Sequence, residues 1–200
     1  MNLFYLDSDL DKCAEYHVDK HVSKMILEAG QILCTNMWID KYIGFVPRKL
    51  TAEEWAVLKE EKKKEVRDFP YLPTMYNHPS TIWARSSLDN FEWTHCYANA
   101  LHSEYHYRYG KEHASALVIN QLPDPKNIER LGFTTFGLAM PDELKDYDNP
   151  IDSYRKFYMA DKQNFASWKG RETPYWWSDT EAKELNARGI GRKATTGVKK

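Results

Sequence analysis

The sequence predicts a mainly α-helical protein with a single domain. Apolar residues recur at helical spacing through most of the chain, and residues that cap helices precede several of these stretches. With 200 residues, the chain can bury a core without disulfide bonds. We expect one helical domain over residues 1–186 and a basic, flexible tail over residues 187–200.

The N-terminal part of the chain predicts a short extended segment and then a long helix. The segment covers residues 2–7. Ser8 or Asp9 can cap the helix, which we expect to continue to about Asp40. Apolar side chains on two sides of this helix predict neighbouring helices on both flanks, so it should lie at the centre of the bundle.

The middle of the chain predicts several helices joined by irregular segments. Thr51 and Glu54 form a capping-box pattern, which starts an exposed helix. The turn at residues 77–80 leads into one helix or a pair of helices that ends at Tyr109. Gly110 then suits the position that follows a helix, because glycine tolerates a positive φ.

The C-terminal part predicts a helix over residues 111–121 and then a long loop. Residues 122–150 contain four prolines and show little periodicity. A long irregular loop in a compact domain is often functional. We expect a further helix from Asp152 or Ser153 to about Lys169, and a short helix before the tail.

Composition limits the classes of function. The three cysteines are widely spaced, which argues against a disulfide framework and a zinc motif. The net charge is −1, so attraction to nucleic acid must come from a local patch, such as the basic tail. The sequence has neither a signal peptide nor an apolar run of about 20 residues. We therefore expect a cytoplasmic protein with no membrane partner and no cofactor.

A polar strip on the first predicted helix is the main candidate site. Its functional residues are His17, Lys20, His21, Lys24 and Glu28. The strip is either a solvated face or the wall of a cleft, where imidazoles and a carboxylate suit acid–base chemistry and lysines bind phosphate. The spacing of the two histidines allows zinc, but the neighbouring lysines disfavour a cation, so we predict no metal site.

Three further groups of residues are candidates for ligand binding. Glu104 and Arg108 lie four residues apart within an apolar arc, either as a structural ion pair or as a site pair facing the same cleft. His78 and Arg85 form either an anion-binding corner or ordinary turn and capping chemistry. Trp176 is a candidate for stacking on a base, since two adjacent tryptophans cannot both be buried.

Three motifs can be compared with known families. They are DKHVxKMxxE at residues 19–28, NHPSxxWxR at residues 77–85 and EYxxRYGK at residues 104–111. Together they resemble a family of small helical proteins encoded by tailed bacteriophages, including marine ones. The resemblance covers nearly the whole chain. It implies a phage source and action in the host cytoplasm, and it does not imply an activity.

The chain has a looser likeness to the phage pyrimidine-dimer DNA glycosylases, which are also small, helical and single-domain. In those enzymes the α-amine of a processed N-terminus attacks the sugar, and a helix glutamate assists. The likeness carries over only to His17 and Glu28. The chain differs in having Met1 before Asn2, a residue too large for the usual removal of methionine.

We therefore predict an enzyme that acts on a nucleic-acid base or nucleotide by a glycosylase- or transferase-like reaction. Glu28 would be the general acid–base, and His17 and His21 would assist it. Lys20, Lys24 and Arg85 would hold phosphate. The alternative is a non-enzymatic phage protein that binds or sequesters a nucleotide signal or a host protein. The sequence leaves the oligomeric state open.

Overall fold

A computed structural model describes residues 1–190, which form eight α-helices and no β-strand. The helices are α1 (Leu10–Glu15), α2 (Asp19–Tyr42), α3 (Ala52–Glu61), α4 (Pro79–Arg85), α5 (Leu88–Tyr109), α6 (Ala114–Asn120), α7 (Pro150–Lys162) and α8 (Asp179–Ala187). Short 3₁₀ turns cover Asp142–Leu144 and Gln163–Phe165. The predicted mainly helical fold is confirmed. Within residues 1–190, no helix has both the length and the apolar character needed to cross a membrane.

Helix α2 lies at the centre of the fold, as predicted. It packs against α3, α4, α5 and α6, and most of its residues are buried. Helix α5 is its main neighbour and also covers α1. The N-terminal segment before α1 has no regular structure. It inserts Leu3, Phe4 and Leu6 into the core, so the start of the chain is fixed against the bundle.

The predicted long first helix is wrong in one respect, because the chain breaks between α1 and α2. Val18 is extended, with φ −63° and ψ 153°. Other parts of the fold bond the backbone groups exposed by the break. The Tyr158 hydroxyl accepts from the Val18 amide at 3.0 Å, and the Trp168 indole donates to the Tyr16 carbonyl at 3.0 Å. These contacts replace the lost helical hydrogen bonds, and no local breaker residue is needed.

Local capping signals in the middle of the chain are confirmed. The Thr51 hydroxyl accepts from the Glu54 amide, and the Glu54 carboxylate accepts from the Thr51 amide, as a capping box requires. Gly110 ends α5 in the left-handed conformation, with φ 61°. The turn at residues 77–80 leads into a pair of helices, α4 and α5.

The long segment between α6 and α7 is irregular apart from one 3₁₀ turn, as predicted. Its first part is ordered by Asp40, at the end of α2. The Asp40 carboxylate accepts from the amides of Lys126, Asn127 and Ile128 at 2.8 to 3.0 Å. The Asp40 carboxylate thus satisfies three consecutive backbone donors that would be bonded within a helix or strand in regular structure.

The C-terminal helices differ from the prediction in their boundaries. Helix α7 begins at Pro150 with Asn149 as its cap and ends at Lys162, seven residues earlier than expected. Helix α8 packs on α7, and Ile190 is buried beside it. The packed chain therefore continues four residues past the predicted boundary at residue 186. The rest of the predicted tail, residues 191–200, lies outside the described residues.

Candidate functional site

A cavity of about 450 Å³ lies where the N-terminal segment meets α2 and α7. Short parts of three other segments complete its wall. We refer to this cavity as the N-terminal pocket, and its lining residues are Met1, Asn2, Phe4, His21, Lys24, Met25, Glu28, His78, Ala139, Pro141, Phe157, Asp161, Lys162 and Gly189. Its volume is within the range of small-molecule sites, and its lining includes both charged and aromatic side chains.

Glu28 is an acid on the wall of this pocket and contacts both the N-terminal segment and Lys24. Its side chain is only 14% exposed. Oε2 accepts from the Asn2 amide at 2.9 Å and lies 3.9 Å from the α-amine of Met1. Oε1 lies 3.2 Å from Nζ of Lys24, one turn earlier on α2. The carboxylate is therefore held between two ammonium groups and a backbone donor.

The side chain of Asn2 fixes the first residues of the chain in the pocket. Its amide nitrogen donates to the Ala139 carbonyl at 3.1 Å. Its Oδ1 accepts from the hydroxyls of Ser80 at 3.0 Å and Tyr154 at 3.2 Å. These bonds reach three separate segments of the fold, so the α-amine of the neighbouring Met1 is set at a defined position beside Glu28.

The floor of the pocket combines aromatic rings with a buried ion pair. Lys162 and Asp161, at the end of α7, are both almost fully buried and bond to each other. The ammonium of Lys162 also lies 5.2 Å from the ring centre of Phe4. The His21 ring packs on Phe4 at 5.2 Å and against the edge of Tyr158 at 5.3 Å. Charged groups and flat apolar surfaces therefore face the same volume.

His78 contributes from the start of α4. It is the N-cap residue of that helix, and its Nδ1 accepts from the Ser80 amide at 3.2 Å. Burial, followed by the positive charge at the Met1 α-amine, lowers the pKa of His78 to about 4, against an opposing effect of Glu28. The imidazole is therefore neutral at physiological pH.

The structure brings four of the ten predicted site residues together in this pocket: His21, Lys24, Glu28 and His78. The other six do not line it: His17, Lys20, Arg85, Glu104, Arg108 and Trp176. The predicted cleft between the first helix and Arg85 and Arg108 therefore does not coincide with this pocket. The contacts of each of the six explain its different place.

His17 lies in the break between α1 and α2 and is fully buried. Its Nδ1 donates to the Cys13 carbonyl at 2.7 Å, so its Nε2 accepts from the Tyr97 hydroxyl at 2.9 Å. Burial is the main effect that lowers the pKa of His17 to about 3. Both ring nitrogens are occupied within the core, and the catalytic role predicted for His17 is corrected to a structural one.

Arg85 is also buried, and its guanidinium is occupied by backbone carbonyls. Nε donates to Val46 and Nη1 to Tyr76, both at 2.7 Å, and Nη2 donates to Arg48. These bonds fasten the irregular segments on either side of α3 to helix α4. The predicted phosphate-binding role of Arg85 is replaced by this one, because the side chain is 1% exposed and each of its three nitrogens donates to a backbone carbonyl.

Glu104 and Arg108 form a structural ion pair, which is one of the two alternatives predicted from their four-residue spacing. Arg108 Nε donates to Glu104 Oε1 at 2.6 Å. Its Nη1 donates to the His17 carbonyl at 2.9 Å, and its Nη2 to the Glu15 carbonyl at 2.8 Å. Arg171 binds the same Glu104 at 2.8 Å. The pair therefore caps the helix break and does not reach the N-terminal pocket.

Lys20 and Trp176 lie elsewhere on the surface. Nζ of Lys20 is 4.9 Å from the ring centre of Phe165. Trp176 meets the Tyr16 ring edge-on at 5.8 Å and lies 5.4 Å from the Arg155 guanidinium. Trp176, which was predicted to stack on a base, thus packs against protein groups outside the N-terminal pocket.

The second wall of the pocket, formed by the first two residues and by Asp161 and Lys162, was not predicted from the sequence. Asp161 and Lys162 fall seven and four residues after the buried Tyr154 and Tyr158, on the core face of α7. Two adjacent charges on an otherwise apolar face are a signal for a buried pair. No comparable signal marks the first two residues, because their position depends on tertiary bonds.

These features define an all-helical protein with a cavity lined by a carboxylate, ammonium groups and imidazoles. Comparisons with protein-family models, curated proteins and solved structures gave no match. Within the part of the chain that the structure describes, no group of three or more His, Cys, Asp or Glu residues is arranged to hold a metal ion.

Proposed function

We propose that this protein is an enzyme that acts on a nucleic-acid base or nucleotide, by a glycosylase- or transferase-like reaction in the N-terminal pocket. The observation that carries the proposal is the position of Glu28. Its carboxylate lies on the wall of a cavity, 3.9 Å from the α-amine of Met1 and 3.2 Å from Lys24. A carboxylate beside an amine is suited to move a proton and to prepare a nucleophile.

The proposed reaction breaks the bond between a base and its sugar. Glu28 takes a proton from the Met1 ammonium, and the free amine attacks C1′ of the sugar. The bond from C1′ to the base breaks, and both electrons leave with the base, which is then protonated. The nitrogen, still bonded to C1′, then gives a proton to Glu28, and the C1′–O4′ bond breaks as the C1′=N bond of an imine forms, while O4′ takes up a proton. Water adds to C1′ of the imine and breaks the C–N bond, which releases the ring-opened sugar as an aldehyde and restores the amine.

The remaining lining residues are suited to hold a nucleotide. Lys24 is 55% exposed and lies where a phosphate would reach the pocket. Phe157 lines the cavity and packs in parallel with Phe4, at 6.2 Å. It can therefore replace Trp176 as the ring on which a base stacks. His21 lies near enough to orient the sugar or assist proton transfer.

The test is a search for base release by the intact chain. Oligonucleotides with damaged or unusual bases, and free nucleotides, are incubated with the protein, and the products are identified by mass spectrometry. We expect Glu28→Gln to lower turnover by about 10²- to 10⁴-fold while ligand affinity stays within a few-fold, because the amide keeps the shape but cannot accept the proton. Lys63→Gln, on the exposed end of the α3 region, is a control.

The nucleophile has a separate test. Borohydride reduces an imine to a stable amine, so it should link the protein covalently to a substrate containing an abasic sugar. Mass spectrometry then identifies the residue that carries the link and the residue that begins the mature chain. An adduct at a lysine side chain would contradict the role of the α-amine. A tightly bound ligand recovered unchanged, with no product, would favour the non-enzymatic sequestering protein.

A further inference from the structure

The tautomer of His78 is fixed by its capping bond. Because Nδ1 accepts the Ser80 amide at 3.2 Å, the single proton of the neutral ring must be on Nε2. Nδ1 is turned toward its own helix, so Nε2 is the nitrogen that remains for the pocket, which His78 lines. The wall of the cavity thus includes a residue whose second ring nitrogen is not used by the helix cap.

This donor differs from the ammonium groups of the pocket because it has no charge. The pKa of His78 is lowered to about 4, by burial first and then by the Met1 ammonium. The ammonium group of Lys24 is 55% exposed and is suited to bind phosphate. A neutral imidazole N–H is instead suited to polarise a carbonyl oxygen without holding it as an ion pair.

We infer that His78 is a catalytic hydrogen-bond donor, and that the substrate base carries a keto oxygen next to the nitrogen that joins the sugar. The inference rests on the proposed function. When the bond from C1′ to that nitrogen breaks, both electrons stay on the base, and the negative charge spreads to the adjacent keto oxygen. The Nε2–H of His78 stabilises this oxygen as charge develops, until the base takes up a proton.

The variant His78→Asn isolates this donor. Asparagine is a favourable N-cap residue, so the acceptor for the Ser80 amide remains while the Nε2–H is lost. His113→Asn is a matched control. His113 caps α6 in the same way, with Nδ1 accepting from the Ser115 amide at 3.2 Å, and it does not line the pocket.

We expect His78→Asn to lower kcat for base release by about 100-fold, with little change in KM or in the unfolding midpoint. His113→Asn should keep the wild-type kcat. The probe is an oligonucleotide containing 2′-deoxyuridine, compared with one whose base has hydrogen in place of the 2-keto group. Removal of the keto oxygen weakens the leaving group in both proteins, but only the wild type also loses the hydrogen bond. The 100-fold difference between the two proteins should therefore disappear on the second probe.

The outcomes separate the inference from the proposed function. Equal rates for His78→Asn and the wild type on the keto probe would overturn the inference and leave the enzyme proposal intact. Absence of base release by the wild type on every probe would instead remove the proposed function. Nitrogen-15 NMR tests the donor without activity: a ring proton on Nδ1, or an Nε2 resonance unmoved by saturating deoxyuridine monophosphate, would overturn it.

Discussion

Two regions of this protein hold the same kinds of polar side chain and use them differently. At the break between α1 and α2, Arg108 and His17 are hydrogen-bonded to carbonyls, carboxylates and a hydroxyl of the chain itself. At the N-terminal pocket, Glu28, Lys24 and His78 face a cavity of about 450 Å³. The first region replaces helical hydrogen bonds, and the second leaves room for a ligand.

The difference shows that burial and residue type do not identify a site by themselves. A buried guanidinium is costly unless it is paired and hydrogen-bonded, and each of the three nitrogens of Arg108 donates, to two backbone carbonyls and two acids in all. The groups of the pocket contact one another but also line empty volume. If this comparison is right, variants in the break should affect stability most, and variants in the pocket should affect ligand binding most.

The largest expected effect on stability comes from Arg108→Met. The change leaves the carbonyls of Glu15 and His17 without their donor and removes one partner of Glu104. We expect the free energy of unfolding to fall by about 3–5 kcal/mol, as for other broken buried pairs. Urea unfolding, followed by circular dichroism, measures this.

The control for Arg108→Met is Glu28→Gln, which changes a charge in the pocket instead of the break. It should alter the free energy of unfolding much less. A loss for Glu28→Gln as large as that for Arg108→Met would show that the pocket groups are held for stability too, and the contrast between the two regions would disappear.

A smaller effect is expected for His17→Gln, which should weaken the dependence of the free energy of unfolding on pH. The folded pKa of His17, about 3, lies below its ordinary value of 6.5, so the unfolded chain binds the proton first as pH falls. The contribution of neutral His17 to the free energy of unfolding is therefore fully present above pH 6.5. It is lost as pH falls toward 3, by up to about 1.4 kcal/mol per pH unit. Glutamine can keep both hydrogen bonds but cannot titrate.

The measurement for His17→Gln is the slope of unfolding free energy against pH between 6 and 5. This range lies above the values where the carboxylates titrate. His78 and His113, whose pKa values are also lowered, remain in both proteins and cancel in the comparison. The variant should have the shallower slope. Equal slopes would mean that His17 takes up its proton in the folded protein.

The parts of the fold that sequence predicts well are those fixed by neighbouring residues. The capping box at Thr51 and the left-handed Gly110 each follow from a few adjacent residues and are confirmed. The break at residues 16–18 could not be predicted, because its cause lies in distant partners. Arg108 and Trp168 bond its carbonyls from more than 90 and 150 residues away, respectively.

The candidate site was predictable on one wall only. His21, Lys24 and Glu28 share a face of α2 because they are spaced three and seven residues apart, which the helical period fixes. The opposite wall comes from the first two residues and from the end of α7. It assembles only because Asn2 bonds three separate segments, which no local pattern encodes.

Lys24→Gln should have the smallest effect on stability, and it separates ligand binding by the pocket from a structural role. The Lys24–Glu28 pair is spaced i,i+4, and the lysine is 55% exposed, so its loss should change the free energy of unfolding by less than about 0.5 kcal/mol. Affinity for a nucleotide should nevertheless fall by about 3- to 10-fold, since a phosphate loses a cation. Titration calorimetry at two salt concentrations measures both the loss and its screening. Among the described residues, the ion pair of Lys24 is with Glu28, which also lines the pocket. A large loss of stability with unchanged nucleotide affinity would therefore show that Lys24 has a structural role, like the residues of the helix break, and would contradict its role in binding phosphate.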